Sequence, residues 1–160
     1  MGIDPGTRFV GYGIIDKNGS RMALVGCGTI RPSPTSPLPS RLKHIFEGLH
    51  SLIEQHRPEV VAIEDVFAGK GSKSSIKIGE GRGVALVCAA LREVRVAEYT
   101  ATRVKMATTG NGHASKQQVQ KMVRAILRLD GGALAEDAAD ALAIAICHCH
   151  RIGTPNGAEG

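Results

Sequence analysis

Aromatic side chains are nearly missing from this sequence: its 160 residues include no tryptophan, two tyrosines and three phenylalanines. A platform that stacks successive bases of a single strand needs several such rings, so if the chain binds nucleic acid, contact with a duplex backbone fits better. The four cysteines, Cys27, Cys88, Cys147 and Cys149, contain no CxxC pair, and no signal peptide assigns them to an oxidising compartment. A reduced, cytoplasmic protein is therefore expected. The run Cys147-His148-Cys149-His150 is rich in zinc-ligand types, but neighbours on a helix stand about 100° apart and do not converge on one ion; a buried helix end is the favoured reading. No apolar stretch approaches the roughly 20 residues of a membrane span, so no membrane partner is expected. One further absence is regional. Between Tyr99 and Leu129 there is no Asp or Glu, although Arg103, Lys105, Lys116, Lys121, Arg124 and Arg128 all fall there.

What is present begins with four carboxylates at separate places: Asp4 in GIDPG, Glu64 closing VVAIE, and Asp137 with Asp140 in EDAADALAIAI. The first two each end an apolar run that reads as a buried strand, and the last two stand at i, i+3 on a helix, so they point the same way. Taken singly, each has a plain explanation: a turn, an exposed strand end, acids complementing a helix N-terminus. Their combination and order favour a site. Carboxylates gathered in one place stay ionised only when cations compensate them, and hard oxygen donors at this density suit Mg²⁺ or Mn²⁺. Two such ions about 4 Å apart are the usual means of hydrolysing a phosphodiester. Asp65, one residue beyond Glu64, is expected on the opposite side if the pleat continues.

The charge balance agrees with a polyanionic partner. The formal charge is +5, and if four of the fifteen acids are drawn to metal, twenty cations face the remaining eleven anions. Nucleic acid is the simplest partner for that excess. Lys70 and Lys73, with Lys77 and Arg82 beyond them, follow Glu64 closely and are candidate DNA grips. Phe67 is an apolar ring in the same polar stretch, read as a wedge between bases or as an anchor for the loop. Lys121, Arg124 and Arg128 lie opposite an apolar stripe and read either as a phosphate-contacting edge or as a solvated face.

The pattern along the chain predicts strands at Phe9–Asp16 and Met22–Ile30, joined through Asn18-Gly19, a favoured hairpin turn. Gly11 and Gly13 in the first strand mark either a bulge or a bare face where a backbone or ligand comes close. A proline-rich loop, 31–39, precedes an amphipathic helix at Pro39–His56, and a strand follows at Glu59–Ile63. A polar loop at 65–75, a helix at Ile76–Glu93 and a strand at Val94–Tyr99 come next. Ser115 and Gln118 make a capping box for a helix with Val119, Met122, Val123 and Ile126 on its apolar stripe. Asp130-Gly131-Gly132 leads into a last helix with seven alanines between 133 and 145, suited to close packing on a sheet. A hairpin followed by alternating helices and strands implies an α/β fold, a mixed sheet with helices on both faces.

The stretches GIDPGTRFVGYG, LPSRLKHIFEGL, VAIEDVF, KIGEGRGVALV, EYTATRVK, SKQQVQKMV and DAADALAIAICHCH, in that order and over nearly the whole chain, resemble the bacterial RuvC-type Holliday junction resolvases. The resemblance implies a ribonuclease H-like fold with a mixed five-stranded sheet, a nuclease domain over residues 1–152 and a flexible C-terminal tail over 153–160. It implies a homodimeric, Mg²⁺-dependent endonuclease, two ions per site with Mn²⁺ able to substitute, that cuts opposed strands of a four-way junction symmetrically in recombination and repair. Asp4, Glu64, Asp137 and Asp140 match the family's metal-binding acids, Lys105 and Lys116 its basic residues for DNA binding and catalysis, and Phe67 the aromatic at the junction centre. The helix from Gly79 onward matches the pairing element, and contact with a branch-migration motor is a further implication. Two features depart from the family pattern: only three residues precede Asp4, which predicts a short first strand, and Asp65 replaces a neutral residue after Glu64. Rival readings are a ribonuclease H-like nuclease acting on RNA or hybrid, a junction-binding protein without turnover and, disfavoured by length, an actin-like ATPase.

Overall fold

In the computed structural model, residues 1–65 and 73–152 are described, with backbone alone for 73–77. Phe67 and Lys70 lie outside the described residues, as does the expected tail at 153–160; the side chains of Lys73 and Lys77 do too. The hairpin forms where its turn chemistry directs. Strands β2 (Val10–Asn18) and β3 (Arg21–Ile30) pair antiparallel, with Gly19 at φ 60° in the tip, a conformation glycine adopts without steric cost. Ahead of them, β1 is only Gly2–Asp4. After helix α1 (Leu38–His56) comes β4 (Val60–Glu64), and after α2 (Lys73–Leu91) comes β5 (Arg95–Tyr99). Three helices complete the chain: α3 (Ala101–Thr109), α4 (Lys116–Leu127) and α5 (Glu136–Ile152).

The sheet runs β3-β2-β1-β4-β5, antiparallel through the hairpin and β1, parallel from β1 through β4 to β5. Alternation along the strands sorts side chains between its two faces. Ile3, Val61 and Ile63 point toward α1 and α2, where Ile45, Leu49, Ile53, Ala85 and Ala89 complete one core. Ala62 points the other way, toward Leu142, Ile144 and Ile146 of α5, which α3 and α4 cover with Val104, Val119, Val123 and Leu127. Buried on almost every side, α5 is an inner helix, and its small residues are what let it lie close to the sheet.

Three local features differ from the sequence reading. Helix α2 starts at Lys73, taking in residues read as loop; no proline or glycine stands between Lys73 and Ile78 to stop it. Helix α3 was not anticipated. Its pattern is short and polar, with Val104 and Thr108 buried one turn apart, and its start is fixed by Thr100, whose side chain accepts from the Arg103 N–H. On α4 the capping box forms in both directions, but Met122 is 37% exposed; the buried stripe is Val119, Val123 and Leu127, at strict i, i+4 spacing.

Candidate active site

Asp4 and Glu64 have the same strand parity as Gly2 and Ala62, which pair across β1 and β4, so both carboxylates leave the sheet on the face that carries α5. Three glycines seat the helix there. A Cβ at Gly2 would stand 2.1 Å from the carbonyl oxygen of Ala141, one at Gly11 2.0 Å from that of Asp137, and one at Gly13 2.6 Å from the Leu142 side chain. Gly11 is the register partner of Asp4. Bare strand against helix backbone thus brings the first turns of α5, with Asp137 and Asp140, to the end of β1. Of the two readings of Gly11 and Gly13, close approach of a backbone is what the fold uses.

The four acids form one electrostatic group. Burial, then the charges of Asp140, Glu64 and Asp137, push the Asp4 carboxyl up to about 7, against a smaller lowering by Lys116. Glu64 is raised by burial and by Asp140, while Lys105 on α3 and Lys116 on α4 act to lower it. Asp140 is raised by burial, with Lys116 opposing through charge and a hydrogen bond. The Lys116 ammonium lies 2.9 Å from Glu136 and 3.3 Å from Asp140, and its pKa is pushed well up, chiefly by the bond to Glu136. Glu136 was not foreseen as its partner; the signal was the acid immediately ahead of Asp137.

Among the described residues no three His, Cys, Asp or Glu side chains already stand as a finished ligand set. In donor type and charge the four acids nevertheless fit a divalent cation: they are oxygen donors, burial and then their mutual repulsion push Asp4 up to about 7, and a lysine ammonium already rests against one of them. Asp4, Glu64, Asp137 and Asp140 are the residues that would hold such ions. Beside them a cleft of about 350 Å³ is lined by Asp4, Pro5, Glu64, Asp65, Ile78, Thr100, Ala101 and Thr102. Asp65 therefore sits on the site's side of the fold. Strand β4 ends at Glu64, so the pleat does not carry on, and the Asp65 N–H is drawn to the Tyr99 carbonyl at 2.8 Å.

The other basic candidates separate. Arg82 is paired with Glu98 on β5 and its side chain is 23% exposed, so its guanidinium is committed within the fold. Arg124 donates to the carbonyls of Gly131 and Gly132, at 3.4 and 2.9 Å, and so fastens the turn that leads into α5. Around the CHCH run, Cys147 and Cys149 are buried, the Tyr99 hydroxyl is 2.7 Å from His148 Nδ1, and His150 Nδ1 is 2.9 Å from the Ala107 carbonyl; the four side chains face different neighbours.

An antiparallel hairpin continued by parallel strands, with acids at the ends of β1 and β4 and on a helix laid across them, is the ribonuclease H-like arrangement of a nuclease. Within that class the model of the family "Crossover junction endodeoxyribonuclease RuvC" matches residues 1–148, and the chain belongs to this family. A crossover junction endodeoxyribonuclease RuvC from Citrifermentans bemidjiense is 51% identical over 153 residues, covering 96% of this chain and 93% of its own. One from Nitrosomonas eutropha is 51% identical over 150 residues, 94% of this chain and 83% of its own. Among solved structures, T. thermophilus RuvC in complex with Holliday junction substrate aligns with a TM-score of 0.87 at 35% identity, covering 95% of this chain and 93% of that one.

Proposed function

We propose that this chain resolves four-way DNA junctions in recombination and repair, cutting two opposed strands as a homodimer and leaving 5′-phosphate and 3′-hydroxyl ends. The observation that carries the reading is the coupling of Asp4 to Glu64, Asp137 and Asp140, a concentration of negative charge that adds to burial in raising Asp4 to about 7 and that divalent ions would relieve. Bound Mg²⁺, two ions per site with Mn²⁺ as a substitute, supplies activation of the attacking water and neutralisation of charge on the scissile phosphate and the leaving 3′ oxygen. Asp4, on the central strand and coupled to Glu64 on β4 and to both acids of α5, would hold these ions together with them. Lys105 and Lys116 bring positive charge to the same group and hold the phosphate there. Lys70, Lys73 and Lys77 guide the DNA arms, Phe67 enters the junction centre, and Arg82, expected as a further grip, is instead held by Glu98.

Two identical cuts on a two-fold substrate need two identical sites, which is the physical reason for a dimer. The solved relative bound to a Holliday junction supports the substrate; a branch-migration motor as partner rests on the family resemblance alone, and a cytoplasmic location on the sequence alone. Among the described residues no helix is long and apolar enough to cross a membrane.

The test is a labelled synthetic junction, incubated with protein and Mg²⁺ or a chelator and mapped on a denaturing gel. Wild type gives symmetric nicks in opposed strands with Mg²⁺ only, and Asp140→Asn binds the junction without nicking. If wild type never nicks with either ion, a binding-only role replaces this one. If it cuts linear duplex or RNA–DNA hybrid as readily as the junction, it is a different kind of nuclease.

A further inference from the structure

We propose that Phe9, flanked by Arg8 and Arg31, is a fixed platform on which a base of the cleaved strand stacks, two or three nucleotides from the cut, and that it helps select where the cut falls. This inference rests on the function proposed above. Phe9 is 48% exposed and is the one exposed aromatic ring among the described residues. The Arg31 guanidinium lies 5.3 Å from its centroid. Arg8 and Arg31 are both exposed, and among the described residues neither is in an ion pair, whereas Arg82, Arg92 and Lys116 each are. An unpaired guanidinium against an open ring, with a second exposed arginine next to it in sequence, suits a nucleotide, phosphate to the guanidinium and base to the ring.

The platform stands at the catalytic end of the sheet. Asp4 pairs with Gly11 and Gly11 with Thr29, so Phe9 and Arg31 lie just beyond the same rung, on the β2 and β3 side of Asp4. Neighbouring strands are about 4.8 Å apart, which sets the end of β3 about 10 Å from that of β1. A stacked strand advances about 3.4 Å per nucleotide, hence two or three steps from the cut. The loop that presents the ring is held by its backbone: a Cβ at Gly6 would stand 2.5 Å from the Phe9 carbonyl oxygen, one at Gly81 of α2 would stand 2.5 Å from that of Gly6, and Thr7 is 3% exposed. A ring held still in water loses little entropy when a base covers it.

Because the chain has no tryptophan, Phe9→Trp installs a single tryptophan, excited selectively above the absorption of the two tyrosines. With chelator present to prevent cutting, saturating junction should quench its emission by half or more. Abasic sites two and three nucleotides from the mapped cut should restore it. Phe9→Ala should weaken junction binding roughly tenfold, in line with the loss of one base–aromatic stack, and redistribute the cuts among neighbouring positions, with an unchanged thermal midpoint because the ring is half exposed. Unchanged tryptophan emission while anisotropy reports full binding overturns the platform, and so does a Phe9→Ala protein with wild-type affinity and cut positions. In either result wild-type nicking of the junction still stands, so failure here is separable from failure of the functional reading.

Discussion

Gly48 on α1 and Gly11 on β2 both lie where a helix meets the sheet, on opposite faces, yet a methyl group added at each meets very different neighbours. At Gly48 it would stand 2.9 Å from Cδ1 of Ile30, the far end of a flexible side chain. At Gly11 it would stand 2.0 Å from the carbonyl oxygen and 2.5 Å from the carbonyl carbon of Asp137. The contact of α1 with the sheet is made by large side chains, Ile45, Leu49 and Ile53 against Ile3, Val61 and Ile63, whereas α2 also meets backbone, at Gly81 against Gly6. The α5 layer is held by backbone on backbone and carries Asp137 and Asp140. The seat that places the acids has no slack, unlike that of α1, and the placement of a metal ligand is where slack is least tolerable.

Gly11→Ala is the strongest way to break that contrast. The helix must lift by about an ångström where it bears Asp137, and a misplacement of that size costs on the order of 100-fold in rate. Overpacking should also remove about 1–3 kcal/mol of stability. Junction nicking under single-turnover conditions and thermal unfolding measure the two effects; nicking within threefold of wild type would mean that the acids are not positioned by this contact.

Charge sharpens the contrast. An acid whose folded pKa lies above its unfolded value binds its proton more tightly in the fold, so what it adds to stability is complete below about pH 4 and is lost as pH rises through the folded pKa. Asp4, raised from 3.8 to about 7, should therefore make the metal-free protein progressively less stable across that window, by about 4 kcal/mol. Glu64 and Asp140 are raised as well and act in the same direction. In chelator, the unfolding midpoint of wild type should fall between pH 5 and 7.5 relative to Asp4→Asn, and saturating Mg²⁺ should remove most of the difference. Parallel profiles for the two proteins would show that neither burial nor the neighbouring acids raise Asp4 in the fold.

Much of this was legible in the residues because local chemistry and tertiary need coincide. Asn18-Gly19 turns a hairpin, Ser115 with Gln118 caps α4, and apolar runs ending in Asp4 and Glu64 are the inner strands. The seat of α5 was half legible: glycines facing alanines announce close packing, but only the register tells which glycine meets which carbonyl. Helix α3 was illegible because Thr100, Thr102, Thr108 and Thr109 carry no strong helical period, and its stability comes from burial against α5 rather than from propensity. Lys116 with Glu136, twenty positions apart, and the bend that turns Asp65 into the cleft are products of the assembled fold that no short window encodes.

Asp65 tests how far the acidic site extends. It lines the same cleft as Asp4 and Glu64, yet the charges that move Glu64 are those of Asp140, Lys105 and Lys116. Asp65→Gln should leave nicking within about tenfold of wild type, an effect of about 1.4 kcal/mol or less. A much greater loss, or a weaker Mg²⁺ dependence of the unfolding midpoint, would make it a fifth ligand.

The smallest effect belongs to the tolerant face. Gly48→Ala places its methyl 2.9 Å from Cδ1 and 3.2 and 3.3 Å from Cγ1 and Cγ2 of Ile30, a half-buried side chain at the end of an edge strand that must give by a few tenths of an ångström, while an alanine inside a helix is favoured over glycine by up to about 1 kcal/mol. The two terms oppose each other, so the unfolding free energy should stay within about 1 kcal/mol of wild type and the nicking rate should not change, since α1 carries none of the four acids. Measured beside Gly11→Ala in one assay, the same chemical change is then costly on one face and nearly silent on the other. Comparable loss of nicking from both would mean that the two layers move as one body, and that the site depends on the packing of the whole sheet rather than on the seat of α5.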